Sequence, residues 1–154
     1  MGSREPTPCV FIVIVNWNGL SDTLECLDSL QRLEYANFHV VLVDNASTDD
    51  SVDAIGRVHP SVRILANPGN LGFAGGNNVG IRYAIGNGAK YVWLLNNDTT
   101  VDRRALSSLV EMAESDPAIG ILGSKIYYYS ARHVLSFAGA TIDWEKGRSP
   151  HVGR

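Results

Sequence analysis

The sequence predicts an α/β domain with three layers, in which a mostly parallel central sheet lies between helices. Apolar runs of strand length alternate with helix-length segments up to about residue 115, as in consecutive βαβ units. The first run, 9–15, is nearly continuous in β-branched residues, which is typical of a strand buried on both faces. A chain of 154 residues with 45% hydrophobic side chains is large and apolar enough to bury one such core.

The composition excludes several functional classes. The net charge is -3 and no basic cluster occurs, so we expect no nucleic-acid partner. No apolar run approaches the roughly 20 residues of a membrane-spanning helix, and the N-terminus does not resemble a secretory signal, so we expect no transmembrane segment. Cys9 and Cys26 form neither a disulfide framework nor a metal-ligand pair, and two reduced thiols in a cytosolic protein are expected.

The elements follow one another in a regular order. Strands are predicted over four apolar runs, 9–15, 39–43, 62–65 and 91–95. The first helix is capped by Ser21 and runs to about Leu33, and a short second helix ends near Val58. The proposed apolar stripe of the first helix consists of Leu20, Leu24, Leu27 and Gln31.

A third helix spans about 74–87, with Gly88 as its C-terminal stop, and a fourth spans 102–115, ended by Pro117. The third carries Ala74, Asn78, Ile81 and Ile85 on one side, and the inward face of the fourth is Leu106, Leu109, Val110 and Ala113.

The pattern changes towards the C-terminus. Residues 119–122 are predicted as a fifth strand, and 125–129 and 134–144 as short strands with glycine turns. The residues after 144 are polar and lack a closing element, so we expect a domain that is truncated at its C-terminus.

Ligands of such sheets bind outside the carboxyl ends of the strands, which directs the search to four loops. In the first, Asn16 and Trp17 offer amide groups and a flat ring that suit a heterocycle or its ribose. A simple Asn/Gly turn is the favoured alternative from this loop alone. In the second, Asp44 ends a strand and is available to a ligand's N–H or hydroxyl group. The alternative is that Asp44 closes a turn, and Asp49 is expected to be only a helix cap.

The third loop leads into a glycine-rich helix start. Gly72, Gly75 and Gly76 each cost about 1 kcal/mol relative to alanine inside a helix, which is tolerated where a backbone or a ligand must come close. A helix N-terminus also favours phosphate. The segment matches neither the dinucleotide fingerprint nor a P-loop. Close packing on the sheet and a nearby ligand both remain open.

The fourth loop places amides and a carboxylate after a buried strand. Asn96, Asn97 and Asp98 offer hard oxygen ligands, which suit Mg²⁺ or Mn²⁺ when a diphosphate supplies further oxygens. The alternative is an Asx turn that leads into the next helix.

Together the four loops resemble a known family. The segments Val-Asn-Trp-Asn-Gly, Val-Asp-Asn-Ala-Ser-Thr-Asp, the spaced Asn70, Gly72, Asn78 and Gly80, and Leu-Leu-Asn-Asn-Asp-Thr occur in this order. The chain is similar over about residues 10–143 to the nucleotide-sugar-binding half of family 2 glycosyltransferases. These enzymes have the GT-A fold, which is Rossmann-like, and the rhamnosyltransferase-like branch is the most similar.

The resemblance implies a role for each matching residue. Val15, Asn16 and Trp17 would line the nucleobase pocket, and Asp44 would accept the pyrimidine N–H of a UDP- or dTDP-sugar. Residues expected near the donor are Asn70, Gly72, Asn78, Asn97 and Asp98, of which Asp98 would hold Mg²⁺ or Mn²⁺. The first acidic position of the metal motif is Asn96 here, which departs from the family pattern.

The resemblance also implies an organisation and a location. It divides the chain into a tail at 1–8, a nucleotide-sugar-binding domain at 9–123 and an incomplete start of the acceptor-side region at 124–154. The expected enzyme inverts the sugar linkage, acts on a glycan or lipid-linked acceptor in polysaccharide biosynthesis, and is cytoplasmic or peripheral at the membrane.

No catalytic base is assigned. The carboxylates after Asp98 lie in or beside a helix or lack the family's Glu-Asp motif: Asp102, Glu111, Glu114, Asp116, Asp143 and Glu145. A nucleotide-sugar-binding module without catalysis is therefore an alternative. A sugar-1-phosphate nucleotidyltransferase would need a basic glycine-rich loop after the first strand. An oxidoreductase would need the missing fingerprint, and a purely structural protein would leave the polar strand ends unexplained.

Overall fold

The computed structural model describes residues 7–141 and 143–149. The expected N-terminal tail at 1–8 therefore lies outside the described residues except for its last two positions, as do 142 and 150–154 of the expected acceptor-side region. The chain forms two compact units, of which the first ends at Leu106 and the second begins at Ser107.

The first unit has the predicted alternation of strands and helices. Its strands are β1 (Val10–Asn16), β2 (Phe38–Asp44), β3 (Arg63–Ala66) and β4 (Tyr91–Asn96). Its helices are α1 (Leu20–Leu30), α2 (Ser51–Val58) and α3 (Gly72–Gly86), and a fourth, α4 (Ala105–Ser115), begins at its end. Each lies within a few residues of its predicted bounds, so the predicted α/β class is confirmed.

All four strands are parallel and lie in the order β3-β2-β1-β4. The register pairs Asn16 with Asp44, Asp44 with Ala66, and Val15 with Asn96, so the carboxyl ends of the strands share one edge. Strands β2 and β3 follow one another on one side of β1, and β4 then pairs with the other side of β1. This reversal makes the boundary between β1 and β4 the point where such sheets bind ligands.

Helices cover both faces of this sheet. On one face, Phe11 and Val13 pack in a core with Val41, Val43 and Ala84 of α3. Because side chains alternate along a strand, the intervening residues of β1 point to the opposite face. There Asn16 bonds to Thr23 of α1, and α1 contacts α2. The three predicted layers are confirmed.

Helix α3 packs on the sheet through its glycines. A β-carbon on Gly76 would lie 2.9 Å from Cγ1 of Val15, and one on Gly80 would overlap Val13. The apolar side that the sequence pattern indicated is instead the outer one, since Ile85 is 65% exposed. Close backbone approach thus accounts for the glycines in the second and third turns of the helix.

The end of α3 matches the prediction. Gly88 has φ +82, a left-handed conformation that glycine adopts readily. Its N–H bonds to the carbonyl of Ile85, and the N–H of Ala89 bonds to that of Ala84. These two bonds form a Schellman motif, which ends a helix at a glycine.

The predicted start of α1 was wrong. The helix begins at Leu20, Gly19 is its N-cap, and no side chain caps it. The predicted leucine stripe is also incomplete, because Thr23, Cys26 and Ser29 are buried on the inward face. Small polar side chains fit there since their hydroxyl and thiol groups bond within the fold.

The second unit contains an antiparallel pair, β5 (Ile126–Tyr128) and β6 (Ala131–Phe137). The predicted fifth strand at 119–122 was wrong: these residues are in neither a helix nor a strand, and Ile121 is 93% exposed. An apolar run becomes a strand only when a partner strand pairs with its backbone. The predicted inward residues of α4 are buried or partly buried. Among the described residues, no helix is both long and apolar enough to cross a membrane.

Candidate functional site

The end of β1 bonds directly to the end of β2. Nδ2 of Asn16 donates a hydrogen bond to Oδ1 of Asp44 at 3.0 Å, and the backbone N–H of Asn45 bonds to the carbonyl of Asn16 at 2.8 Å. Asn16 is fully buried and Asp44 is 2% exposed. The structure therefore joins the first two predicted site loops through their central residues.

The amide of Asn16 uses all of its hydrogen-bonding groups inside the protein. Nδ2 also donates to Oγ of Ser47 at 3.1 Å. Oδ1 accepts from Oγ1 of Thr23 at 2.9 Å and from the N–H of Gly19 at 3.2 Å. An amide has two donor hydrogens and two acceptor lone pairs, and these four bonds occupy them.

The carboxylate of Asp44 is mostly occupied by its own loop. Oδ1 accepts from Asn16 and from the hydroxyl of Ser47 at 2.6 Å, while Oδ2 accepts from the N–H of Ser47 at 2.9 Å. Asp44 therefore closes the turn onto Ser47. Three of the four acceptor positions of the carboxylate are filled by described residues, and one remains on Oδ2.

The first loop also contacts the fourth. Nδ2 of Asn97 donates to Oγ1 of Thr23 at 3.0 Å. A β-carbon on Gly19 would lie 2.6 Å from the same Nδ2 atom, so the backbone of the first loop packs against the Asn97 amide. A residue with a side chain at position 19 would displace Asn97.

Asp98 lies just beyond β4 and is exposed. Burial raises the pKa of the Cys26 thiol to about 12, and the charge of Asp98 is a smaller cause in the same direction. Since β4 and β2 are the two neighbours of β1, the strand that Asp44 ends and the strand that Asp98 follows lie about 10 Å apart. Within 7–141 and 143–149, no group of three or more His, Cys, Asp or Glu residues could hold a metal ion.

The third loop joins the site through Asn45. Its Nδ2 donates to the carbonyl of Gly72 at 3.1 Å, and its Oδ1 accepts from Nδ2 of Asn67 at 2.8 Å. Gly72 has φ +70, which favours glycine, and its N–H bonds to Oδ1 of Asn70 at 2.8 Å. These bonds hold the start of α3 against the end of β2.

Several predicted site residues are exposed to solvent, among them Trp17 and Asn78. Trp17 is 59% exposed at the end of β1. Asn78 is exposed on α3, whereas its neighbour Asn77 is buried and donates to the carbonyl of Phe73. Val15 is partly buried against α3. The ring of Trp17 thus lies at the surface, whereas the neighbouring Asn16 is buried.

The second loop also anchors α2. The hydroxyl and N–H of Ser51 both donate to Oδ1 of Asp49. The hydroxyl bond is the main cause of the lowered pKa of Asp49, and the N–H of Leu20 contributes. Asp49 therefore bonds to the first residue of α2 from one position before the N-cap, which is Asp50. The prediction that Asp49 itself caps the helix was wrong, because no side-chain hydrogen bond caps it.

Three residues of the site escaped the sequence analysis. Ser47 has a local signal, because Asp followed three residues later by Ser is typical of a side-chain-closed turn. Asn45 follows Asp44 directly, and its role depends on a contact with Gly72, 27 residues away. Thr23 has no local signal, since only the packing of α1 on the sheet brings it between Asn16 and Asn97.

Comparisons with known proteins agree on one family. The model of Glycosyl transferase family 2 matches residues 11–149. Galactofuranosyltransferase GlfT1 of Mycobacterium tuberculosis (strain CDC 1551 / Oshkosh) is 32% identical over 111 residues, which are 70% of this chain and 36% of that protein.

Two solved structures share the fold. The mannosyltransferase PcManGT from Pyrobaculum calidifontis, in complex with GDP-Man and Mn²⁺, is 26% identical with a TM-score of 0.68 and covers 75% of this chain and 35% of its own. S. aureus TarS 1–349 in complex with UDP-GlcNAc is 17% identical with a TM-score of 0.62 and covers 80% and 42%. The chain spans between 15% and 40% of the curated relatives that it matches.

Proposed function

The chain belongs to glycosyltransferase family 2, and we propose that it is the donor-binding part of an enzyme that transfers a sugar from a nucleotide diphosphate to an acceptor hydroxyl. The observation that carries this proposal is the arrangement of two carboxylates at one edge of a parallel sheet. Asp44 is held by Asn16 at the end of β2, and Asp98 follows β4 on the other side of β1. In the proposed complex, Asp44 binds the nucleobase, and Asp98 binds the cation at the diphosphate, which is the other end of the nucleotide.

The carboxylate of Asp44 favours a pyrimidine base. Uracil and thymine each present one ring N–H, which matches the single acceptor position left on Oδ2. Guanine presents a paired ring N–H and amino group, which would need two acceptors. We therefore propose a UDP- or dTDP-sugar as donor, with the exposed ring of Trp17 as a stacking surface and the partly buried Val15 as a further lining residue of the base pocket.

The phosphates would lie between the third and fourth loops. The start of α3 offers backbone N–H groups near Gly72, and Asn70 and Asn78 are exposed beside it or on it. The family implies a divalent cation, and the donor set fits one. Asp98 is an exposed carboxylate next to the amides of Asn96 and Asn97, and Mg²⁺ or Mn²⁺ takes few protein carboxylates when phosphates supply other oxygens.

The residues of this chain would bind and orient the donor. In the proposed reaction the acceptor oxygen attacks the anomeric carbon from the side opposite the diphosphate. The bond between the anomeric carbon and the phosphate oxygen breaks, and the sugar is transferred with inversion. A bound cation would stabilise the negative charge on the departing diphosphate. Holding the nucleotide at both ends fixes the position of the anomeric carbon, which lowers the entropic part of the barrier.

No described carboxylate after Asp98 is assigned as the base that takes the acceptor's proton. Asp102, Asp116 and Asp143 each accept backbone N–H bonds from residues two positions further along the chain. These are turn-forming contacts. A nucleotide-sugar-binding module without catalysis is accordingly the second candidate for this chain, whereas a sugar-1-phosphate nucleotidyltransferase is disfavoured by the family match.

The acceptor is proposed to be a glycan or a lipid-linked glycan, and the setting polysaccharide biosynthesis. This proposal draws on relatives named for galactofuranosyl transfer and for succinoglycan biosynthesis. We propose that such an enzyme acts in the cytoplasm or as a peripheral protein at the cytoplasmic side of the membrane.

Titration calorimetry tests the donor proposal. UDP, dTDP, GDP and ADP are each titrated into the chain with and without Mn²⁺. We expect binding of UDP or dTDP that is at least about tenfold tighter than that of GDP, the discrimination that an unpaired polar group produces. Preferential binding of GDP or ADP, or no binding of any nucleotide, would contradict the proposal.

Two substitutions in the same loop sharpen the result. Asp44→Asn replaces one of the two acceptor oxygens by an NH₂ donor and removes the charge, and it is expected to weaken UDP binding by about tenfold or more. Asp49→Asn changes an equally sized carboxylate that bonds to α2 and is expected to leave the affinity within about twofold. A hydrolysis assay with the corresponding nucleotide sugar then separates a catalytic chain from a binding module.

A further inference from the structure

One unbroken row of hydrogen bonds crosses the edge of the sheet from the fourth loop to the second. Nδ2 of Asn97 donates to Oγ1 of Thr23 at 3.0 Å, and that hydroxyl donates to Oδ1 of Asn16 at 2.9 Å. Nδ2 of Asn16 donates in turn to Oδ1 of Asp44 at 3.0 Å. The row begins next to Asp98 and ends on the proposed nucleobase carboxylate.

Thr23 lies inside this row, between Asn97 and Asn16. Its hydroxyl is buried, so water does not replace either protein partner. Thr23 and Asn16 are fully buried and Asp44 is 2% exposed. A hydroxyl has one proton to donate, so the bond to Asn16 fixes its direction and leaves its lone pairs for Asn97. A buried bond of this kind costs free energy when either partner is removed, because the other group stays buried and unpaired.

Helix formation does not require the hydroxyl of Thr23. The backbone N–H of Thr23 already bonds to the carbonyl of Gly19 at 3.0 Å, and α1 has no side-chain cap. The hydroxyl instead bonds on both sides to residues outside its own helix. The amides of Asn97 and Asn16 also lie close to Gly19, since a β-carbon on this glycine would be 2.6 Å from Nδ2 of Asn97 and 3.2 Å from Oδ1 of Asn16.

We propose that Thr23 is a positioning residue that sets the nucleobase-binding and phosphate-binding sides of the donor site relative to each other. The inference rests on the proposed function, since it assigns the two sides to Asp44 and to the Asn97–Asp98 segment. Loss of the hydroxyl leaves Asn16 without one donor and Asn97 without its acceptor. Both sides then lose orientation, although neither Asp44 nor Asp98 has been changed.

The test uses Thr23→Val, which keeps the shape of the side chain and removes the hydroxyl, and Thr23→Ser, which restores the hydroxyl. Ser51→Ala is the matched control. Ser51 is also fully buried in the first turn of a helix, but its hydroxyl bonds to Asp49 and not to the row. For each protein we would measure the Kd of UDP with Mn²⁺, the Kd of uridine without metal, and the thermal midpoint of unfolding.

We expect Thr23→Val to raise the Kd of UDP with Mn²⁺ by about tenfold and that of uridine by about threefold, as for the loss of an oriented hydrogen bond. Thr23→Ser should return both values to within about twofold of the parent. Ser51→Ala should lower the thermal midpoint while leaving both Kd values within about twofold.

The outcomes separate this inference from the proposed function. If the parent protein binds UDP and uridine, and Thr23→Val lowers only the thermal midpoint, Thr23 serves the fold alone and the inference is overturned. The same holds if Thr23→Ser fails to restore affinity while remaining folded. If the parent protein binds neither ligand, the proposed function itself fails, and the inference fails with it.

Discussion

Gly80 of α3 lies so close to Val13 of β1 that a β-carbon on the glycine would overlap Cγ1 of the valine. The same position would also approach Cγ2 of Val43 at 3.2 Å. Helix and sheet are therefore in backbone-to-side-chain contact at the centre of the fold. The start of α3, where Gly72 meets Asn45, is held at the site edge by this same packing.

Gly80→Ala is expected to destabilise the protein by about 3 kcal/mol or more, because the added methyl group must displace buried valines in a packed core. Gly86→Ala is the matched change in the same helix. A β-carbon at this position would have no atom within 4 Å, so the change should leave the stability of the protein unaltered or raise it by up to about 1 kcal/mol. Chemical denaturation of the two variants measures the difference. Equal stabilities would show that α3 does not lie this close to the sheet.

Asn16→Ala is expected to cost about 3 kcal/mol of unfolding free energy, since it removes four hydrogen bonds, two of them fully buried, and leaves their partners unpaired. Asn78→Ala removes the same amide from an exposed position of α3 and should change stability by less than about 0.5 kcal/mol. Urea unfolding monitored by circular dichroism would report both values. A small effect at Asn16 would mean that its bonds are replaced by water.

Asp98→Asn is expected to abolish the increase in UDP affinity that Mn²⁺ produces, because it removes the carboxylate proposed to bind the cation. Asp102→Asn, in the segment that follows, should preserve this increase, since that side chain bonds to the N–H of Arg104. Calorimetry with and without Mn²⁺, and again after addition of EDTA, measures the effect. Retention of the increase by Asp98→Asn would exclude this residue as the metal ligand.

Cys26 gives an expectation for alkaline pH. Burial raises the pKa of its thiol to about 12 in the folded state, from an ordinary value of 9.0, so the unfolded chain loses this proton first. Stability is therefore unaffected below about pH 8 and falls by about 1 kcal/mol per pH unit between about pH 9 and 11. Cys26→Ala should lack this loss. Parallel pH dependences of the two proteins would contradict the assignment.

The order of the elements was predictable because each strand of the first unit is an apolar run that a loop separates from a periodic helix. The inward side of α3 was not predictable from the sequence. It includes Gly76 and Gly80, which lie close to β1, but glycine carries no hydrophobic signal. The segment 119–122 shows the converse error. Its composition suits a strand, but composition does not supply a pairing partner.

For the site, the rule that ligands bind at carboxyl strand ends identified the loops that the structure brings together. Asn16, Asp44 and Asn97 were predicted in this way. The bond between Asn16 and Asp44 follows from their parallel register, whereas Asn97 joins them only through Thr23. Thr23 was missed because its role depends on the docking of a helix, which no local pattern encodes. The binding roles of all the predicted site residues, from Val15 to Asp98, stay predictions until a nucleotide is bound.

Side chains alternate between the two faces along β1, so the number of residues in this strand decides which face each later side chain occupies. Val15 meets Gly76 on one face, while Asn16 meets Thr23 on the other. Inserting a single residue into β1 would exchange the two, sending the amide into the α3 core and a valine towards the threonine. An insertion of two would keep the phase. Changes in strand length are therefore expected to be tolerated, if at all, only in even steps.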